Sequence, residues 1–245
     1  MPILVGIDGT DNYVLPGKSR DESYDAEFEN SFVSRMCKKQ PTPNKQYFRG
    51  PLLLGGPLES IVTEGHSFIH MRHQAGVNEP ILLTGYSRGA TAAVNIAKVL
   101  DRQKLDVKAM LLFDCVDRAG ANPDPIPNNV KNVLHVMRSP ESGSRGSFGH
   151  AATEWAPPTL YKSAIFTCTH GGMGGVPWTV PAGQSQNDFI DEGFPDYKTN
   201  VTYAQDARGA ERVWTFVETF LREHGFPVPT FFPYSSCEAM RTCAP

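Results

Sequence analysis

Short apolar runs alternate with longer amphipathic runs along this chain. The apolar runs predict strands at about residues 3–8, 80–86, 107–114, 131–137 and 161–168. Apolar positions recur at helical spacing at about 58–75, 88–103 and 207–224, and in the last segment the charged side chains lie largely on the opposite side. Strands that alternate with helices in this way indicate an α/β fold with a mostly parallel sheet and helices on both faces.

Polar segments rich in glycine, proline and serine separate several of these elements. The longest cover about residues 11–50, 118–130, 139–160 and 171–206. We expect them to be irregular, and long loops in a compact α/β domain often form binding loops or lids. The pattern therefore predicts a single domain over residues 1–245, with long loops over its functional site and a loop-rich tail at about 226–245.

Composition and charge narrow the class of protein. Hydrophobic residues make up 40% of the 245 positions and charged residues 20%, which indicates a folded globular chain. The formal net charge of −3 and the lack of a long basic run give no electrostatic basis for binding nucleic acid. No apolar stretch approaches the roughly 20 residues that span a bilayer, and the N-terminus lacks the basic start of a signal peptide. We therefore expect a protein made in the cytoplasm without a signal peptide.

Cysteine and histidine spacing gives no metal motif. The five cysteines include no C-x-x-C pair, so a zinc ribbon is not expected, and no other metal or cofactor is predicted. Cys237 and Cys243 are close enough in sequence to close a small loop, and they could be bridged or free. His66, His70 and His73 share one predicted helix, but no carboxylate motif accompanies them, which favours a solvated face over a metal site.

The most informative motif has the sequence G-Y-S-R-G at residues 85–89, which is the pattern G-x-S-x-G. An apolar run precedes it and a helix-forming run follows it. A strand, a sharp turn and a helix in this order expose a serine hydroxyl at the carboxyl edge of a sheet. A side chain at Gly85 or Gly89 would collide, because strand and helix pass close together there. The motif predicts Ser87 as a nucleophile, against the alternative of a chance match in a turn.

A serine hydroxyl is a weak nucleophile that needs a base, usually histidine, and a group that orients the base. In sheets of this type the partners lie at the carboxyl ends of later strands, in the chain order Ser, acid, His. Asp114 ends the first strand after the nucleophile helix, and His170 ends a later strand and precedes a glycine-rich turn. These two are the candidate acid and base, with Asp117 and His150 as the alternatives.

An oxyanion hole needs two backbone N–H groups aimed at the place where negative charge develops. One is expected from Arg88, the residue after the nucleophile. The other is expected from Gly9 or Thr10, because glycine lets the loop after the first strand turn close to the serine. The alternative for this loop is an ordinary strand-end turn. In the oxyanion interpretation, the Asp8 carboxylate holds the loop by accepting hydrogen bonds from its backbone.

Four motifs occur in an order that resembles one known family. Residues 8–12 (D-G-T-D-N) are similar to its D-G-T-x-N, and residues 85–90 (G-Y-S-R-G-A) to its G-F-S-R-G-A. Residues 113–116 (F-D-C-V) are similar to D-T-V, and residues 170–175 (H-G-G-M-G-G) to H-x-D-h-G-G; R-G-S-F at 145–148 is a weaker match to R-x-x-F. The family comprises the α/β-hydrolases of an uncharacterised domain that include the phospholipase effectors of bacterial type VI secretion.

The resemblance implies an α/β-hydrolase-like fold and the hydrolysis of esters, often of lipids, with Ser87 as nucleophile, Asp114 as acid and His170 as base. It implies a lipid or ester substrate and transient contact with a membrane surface. For an effector it also implies export by a specialised secretion system and an immunity or secretion partner. The chain departs from the family at Gly172, where an aspartate is usual, and at Asp11, where an aromatic residue is usual.

Four residues beside these motifs are the candidate substrate contacts: Asp8, Tyr86, Met173 and Trp178. Apolar side chains at 176–195 and 226–234 predict an acyl channel, which favours a lipid or phospholipid substrate. Two alternatives stay open. One is an esterase of small esters or polyesters, and the other is a non-catalytic binding module that kept the fold.

Overall fold

The computed structural model describes residues 1–10, 16–38, 42–51, 58–118, 120–230 and 234. A sheet of six parallel strands has the spatial order β2-β1-β3-β4-β5-β6. Its strands are β1 (Ile3–Ile7), β2 (Lys45–Phe48), β3 (Ile81–Tyr86), β4 (Val107–Phe113), β5 (Val130–Arg138) and β6 (Leu160–Phe166). A separate antiparallel pair is formed by β7 (Phe189–Asp191) and β8 (Lys198–Thr202).

Helices cover both faces of the six-stranded sheet. They are α1 (Arg20–Phe28), α2 (Phe32–Lys38), α3 (Leu58–Gln74), α4 (Arg88–Arg102), the single turn α5 (His170–Met173) and α6 (Tyr203–His224). Apolar side chains of α3 and α4 pack on one face, and those of α1, α2 and α6 pack on the other. No helix of the described ranges is long and apolar enough to span a bilayer.

Alternation along β1 shows how the two faces are filled. Ile3 and Val5 point into the cluster under α3 and α4, whereas Leu4 points into the cluster under α2 and α6. Successive side chains of a strand face opposite sides of its sheet, so a strand covered on both sides must be apolar at every position. This is why the central strands are continuous apolar runs, and why the sequence locates them within one or two residues.

The expected fold class is confirmed, but two segments expected to be irregular are partly regular. Residues 11–50 contain α1, α2 and β2, and residues 171–206 contain β7 and β8. Helix α1 is mostly polar and is started by a capping box between Ser19 and Glu22, and α2 spans only seven residues. Strand β2 lies at the sheet edge with all its side chains half-buried. None of the three is long or apolar enough to show a periodic pattern.

The strand order brings the ends of distant segments together. Strand β3 lies between β1 and β4, with Ile7 opposite Gly85 and Tyr86 opposite Phe113. Because all three strands are parallel, the residues that follow them meet at one edge of the sheet. Ligand sites of open α/β sheets are found at this edge, outside the carboxyl ends of the strands.

Gly85 and Gly89 lie where strand β3 turns into helix α4. A Cβ atom at Gly85 would approach the Gly89 carbonyl oxygen to 2.5 Å and the Ala90 Cα to 2.6 Å. A Cβ atom at Gly89 would overlap the carbonyl groups of Ile7 and Asp8. The collisions expected from the sequence are therefore with backbone atoms, which cannot rotate away.

We predict that Gly85→Ala lowers the free energy of unfolding by about 1–3 kcal/mol, the usual range for overpacking a tight interior site. For a chain of this size, each kcal/mol should lower Tm by roughly 2–4 °C. Gly146→Ala is the matched control, since a Cβ atom there meets nothing within 4 Å. Thermal unfolding of both variants measures the difference, and equal Tm values would contradict the strand–helix contact.

Candidate active site

Ser87 occupies the sharp turn between β3 and α4. Its backbone angles are φ 57° and ψ −129°, a strained conformation for a residue with a side chain. The neighbouring strand holds the turn, since the Ser87 N–H donates to the Phe113 carbonyl at 2.9 Å. The hydroxyl makes no capping hydrogen bond to α4. The turn therefore leaves this hydroxyl available to a partner at the edge of the sheet.

Three side chains form a continuous hydrogen-bonded relay at this edge. His170 Nε2 lies 2.9 Å from Ser87 Oγ, and His170 Nδ1 lies 2.6 Å from Asp114 Oδ2. Asp114 has no exposed surface, and Ser87 and His170 are 4% and 7% exposed. A nucleophile, a base and an acid that orients the base have this arrangement in serine hydrolases.

Asp114 follows β4 with a positive φ of 47° and is held ionised by its neighbours. Burial by itself would raise the pKa of this carboxyl. The hydrogen bond and charge of His170, together with Arg138, outweigh burial and lower the pKa to about 2. The carboxylate can therefore orient the imidazole and stabilise its protonated form throughout the neutral range.

Arg138 is a site residue that the sequence analysis missed. It ends β5, one residue beyond the predicted strand, and its Nη1 donates to Asp114 Oδ2 at 2.7 Å. Its own backbone N–H donates to Asp114 Oδ1 at 3.2 Å. The available signal was a cation at the carboxyl end of the strand that follows, along the chain, the one that Asp114 ends.

The loop that carries His170 is fixed from two sides. The His170 N–H donates to Ser144 Oγ at 2.7 Å, and its carbonyl accepts from the Tyr86 hydroxyl at 2.9 Å. The Phe148 ring lies edge-on to the imidazole, with ring centroids 5.2 Å apart. Hydrogen bonds to both the N–H and the carbonyl group of His170 thus fix its backbone, and the Phe148 ring covers its imidazole.

Asp206 of α6 supports the same loop from below. Its carboxylate accepts hydrogen bonds from the Thr169 N–H at 2.7 Å, the Thr169 hydroxyl at 2.9 Å and the Trp178 N–H at 2.9 Å. Burial raises its pKa to about 6, although these three bonds act in the opposite direction. A Cβ atom at Gly172 would overlap Asp206 Oδ1. The space where the resemblance implies an aspartate is therefore filled by a carboxylate from a different element.

The loop after β1 lies beside Ser87, as expected. A Cβ atom at Gly9 would come within 3.3 Å of Ser87 Cβ and 2.7 Å of the Tyr86 ring. The Gly9 carbonyl accepts from the Tyr24 hydroxyl at 2.5 Å, which holds the loop down. Arg88 is the first residue of α4, where backbone N–H groups have no acceptor within the helix. The amides of Arg88 and of Gly9 or Thr10 are thus the candidate oxyanion donors on the two sides of Ser87.

Asp8 anchors this loop but has no exposed surface for contact with a substrate. Its Oδ2 accepts from the Ser31 hydroxyl at 2.5 Å and the Tyr47 hydroxyl at 2.9 Å. Its Oδ1 has no hydrogen-bond partner among the described residues. Burial raises the pKa of this carboxyl to about 7, although the hydroxyl bonds and the nearby Gly9 amide lower it. Of the two roles expected for Asp8, its buried position contradicts contact with a substrate and agrees with support of the loop.

Two other expected substrate contacts are also corrected. Tyr86 is 4% exposed and lies beneath His170, and Met173 is fully buried with its sulfur near Cys168. Both belong to the core cluster under α2 and α6. Tyr86 points there from the end of β3, on the same face of the sheet as Leu82, and Met173 points there from α5. Trp178 is 38% exposed and stays available to a ligand.

The alternative acid and base have other partners. Asp117 accepts hydrogen bonds from the N–H groups of Ala121 and Asn122, so it closes a turn. His150 Nε2 lies 3.6 Å from Asp114 Oδ1, whereas His170 bonds Oδ2. His170 therefore has the hydrogen bond to Ser87, and His150 lies near the other oxygen of the acid.

The residues expected to form an acyl channel do not lie together in the structure, and some expected positions lie outside the described residues. Of the predicted acyl-channel residues, Phe226 and Val176 pack in the core, while Phe189 and Phe194 are exposed. Two acyl-channel positions, Phe231 and Phe232, lie outside the described residues. So do Asp11 and Asn12 of the first motif and the cysteines Cys237 and Cys243.

Comparisons with known proteins give distant structural likenesses. No family model and no curated protein matches the chain. A hormone-sensitive lipase from a metagenome library is 11% identical, with a TM-score of 0.42, covering 70% of each chain. The RedJ thioesterase of the prodiginine pathway in Streptomyces coelicolor is 13% identical with a TM-score of 0.37, covering 72% of this chain and 82% of that one. A putative YdeN-like hydrolase from Pectobacterium atrosepticum is 15% identical with a TM-score of 0.38, covering 71% and 84%.

Likenesses this distant carry no argument about reaction or substrate. The α/β-hydrolase-like character of the fold is visible in the chain itself. It consists of a parallel sheet covered on both faces, a strained serine turn between a central strand and its helix, and an acid and a histidine after later strands.

We predict that Asp8→Asn becomes increasingly stabilising, relative to wild type, as pH rises from about 4 to about 8. The folded-state pKa of about 7 lies above the unfolded value near 3.8, so folding favours the protonated acid and the wild type loses stability as pH rises through this window. The asparagine amide does not ionise, so the variant does not lose stability in this way. The difference in free energy of unfolding between variant and wild type should grow by up to about 4 kcal/mol.

Urea unfolding at pH 5 and pH 8 measures this difference. Asp101→Asn on α4 is the control for losing one carboxylate from a less buried position. A stability difference between Asp8→Asn and wild type that is the same at both pH values would contradict a raised pKa at Asp8.

Proposed function

We propose that this protein is a serine hydrolase that cleaves carboxylic esters. The observation that carries the proposal is the relay from Ser87 through His170 to Asp114, with distances of 2.9 and 2.6 Å. The strained turn places the serine hydroxyl at the end of a central strand, and the adjacent amides of the β1 loop supply an oxyanion environment.

The proposed reaction proceeds through an acyl-enzyme. Ser87 Oγ attacks the ester carbonyl while His170 Nε2 takes its proton, and Asp114 stabilises the resulting imidazolium. The N–H groups of Arg88 and of Gly9 or Thr10 stabilise the oxyanion. The tetrahedral intermediate collapses, the alcohol leaves with the proton from His170, and the acyl group stays on Ser87. Water, activated by His170, then releases the acid and restores the serine.

Lipid or phospholipid esters are the substrates that we favour. The motif resemblance supports this class, and so do the exposed aromatic side chains of Trp178, Phe189 and Phe194. The last two belong to the β7–β8 hairpin, which is tied to the site through Glu192. This carboxylate accepts from Ser144 Oγ and from the Arg145 N–H, each at 2.9 Å. In this proposal the hairpin meets a lipid surface next to the catalytic edge.

An esterase of small substrates is the second candidate, favoured by the closed state of the site. Phe148 covers His170, and the Arg118 guanidinium lies 4.5 Å from the centroid of the Phe148 ring. Ser87 is only 4% exposed, so entry of a long acyl chain requires a side chain near the serine to move, and Phe148, which packs against His170, is the candidate. A cavity of about 420 Å³ lies at the opposite edge of the sheet, near Pro80 and Lys131, and is not part of this site.

We predict that Ser87→Ala abolishes ester hydrolysis and labelling by a fluorophosphonate probe, while Tm changes little. Loss of a triad nucleophile lowers kcat by about 10³-fold or more. Ser163→Ala, the same change at an exposed position of β6, should keep both activities. Failure of the wild type to label, or labelling that persists in Ser87→Ala, would reject the mechanism and favour a binding module.

We predict that p-nitrophenyl octanoate is cleaved faster than the acetate, and that Phe148→Ala increases this preference because it removes the ring over His170. Initial rates on both esters and on phosphatidylcholine vesicles measure acyl preference. Phe216→Ala, at an exposed aromatic residue of α6, is the control. Acetate preferred by both wild type and Phe148→Ala would favour the small-ester alternative.

A further inference from the structure

We propose that Arg138 is a positioning residue of the triad, which pairs with Asp114 and at the same time fixes the segment 144–149 that covers His170. The inference rests on the proposed ester hydrolysis. It adds a fourth member to the site, acting on the base through the acid and through the covering segment rather than on the substrate.

The Arg138 side chain is 4% exposed, and each of its three side-chain nitrogen atoms donates a hydrogen bond. In addition to the Asp114 bond of Nη1, Nε donates to the Ser144 carbonyl at 2.8 Å. Nη2 donates to the Arg145 carbonyl at 2.9 Å and to the Gly149 carbonyl at 3.0 Å. One buried guanidinium thus joins the triad acid to three carbonyl groups of a single surface segment.

This segment touches the base at two points. Ser144 Oγ accepts from the His170 N–H, and the Phe148 ring packs against the imidazole. Loss of the guanidinium would leave the carbonyl groups of the segment without their donor and would release the cover. A lysine at this position could not replace the contacts, because an ammonium group lacks the planar fork that reaches several acceptors at once.

The charge of Arg138 has a second effect, on Asp114. Both Arg138 Nη1 and His170 Nδ1 bond the same oxygen, Oδ2, so part of the carboxylate charge is already balanced before the imidazole takes a proton. Without Arg138 the carboxylate would hold imidazolium more strongly. The enzyme would then reach its active, neutral-histidine form only at higher pH.

Other charged groups face this cluster and must be considered in the test. His150 lies 3.6 Å from Asp114 Oδ1. Glu192 approaches through Ser144, and Arg145 lies 3.9 Å from Glu192. Arg138→Gln and Arg138→Lys both remove the guanidinium contacts to the segment 144–149 and differ in charge, so a difference between their pH profiles reports the charge at position 138.

The experiment compares Arg138→Gln, which removes the charge but keeps a donor, with Arg138→Lys, which keeps the charge but loses the fork. Tm, the pH profile of kcat/KM and the fluorophosphonate labelling rate are measured for both variants and the wild type. We expect Arg138→Gln to lower kcat/KM by about 10²-fold and to move the acid limb up by about one pH unit, since a charge within a few Å has effects of this size. Arg138→Lys should lose activity but keep the wild-type acid limb.

Three outcomes for these variants would overturn the inference. A fall in Tm and activity with an unmoved acid limb in Arg138→Gln would show a role in loop stability alone. An acid limb that moves equally in both variants would show that the charge of Arg138 is not the cause of the shift. If Arg138→Gln does not fold, a moved limb in Arg138→Lys overturns the inference and an unmoved limb supports it. Absence of labelling in the wild type would reject the proposed function itself, and the inference with it.

Discussion

Asp114 is a carboxylate without exposed surface, in a part of the protein where an unpaired ion would be destabilising by several kcal/mol. Its charge is tolerated because His170, the Arg138 guanidinium and the Arg138 backbone N–H all bond it. Each of these partners in turn fixes another piece of the site. His170 is aimed at Ser87, and Arg138 holds the segment over the imidazole. Pairing this one buried charge therefore organises the carboxyl edge of the sheet.

Two strained residues follow neighbouring strands of the sheet. Ser87 after β3 and Asp114 after β4 both have positive φ. Such conformations persist only where surrounding bonds determine them. The Ser87 N–H donates to Phe113 and the Asp114 N–H to Val136, so each strained residue is held by the next strand of the sheet. The same parallel ladder that builds the core thereby directs the nucleophile and the acid toward one point.

Carboxylates and hydroxyls from elements far apart in sequence support the loop that carries His170. Asp206 on α6 bonds the Thr169 backbone, and Glu192 on the β7–β8 hairpin bonds Ser144, which in turn bonds His170. Asp206 also lies so close to Gly172 that a Cβ atom there would overlap its carboxylate. A histidine on a glycine-rich loop gains its rigidity from these long-range contacts, because the loop has few side chains of its own to pack.

The sequence by itself determined the central strands, the three long helices and the chain positions of Ser87, Asp114 and His170. These features follow from local physics: a strand buried on both faces must be apolar throughout, and the residues after such strands lie at the sheet edge. Only the tertiary structure decided the rest. Strand order placed β1 beside β3, and packing turned Tyr86 and Met173 inward. Arg138 became a partner of Asp114 because β4 and β5 pair in one register, with Phe113 opposite Val136. The contacts of Arg138, Tyr86 and Met173 depend on the packing of whole elements, and no local pattern of the sequence encodes them.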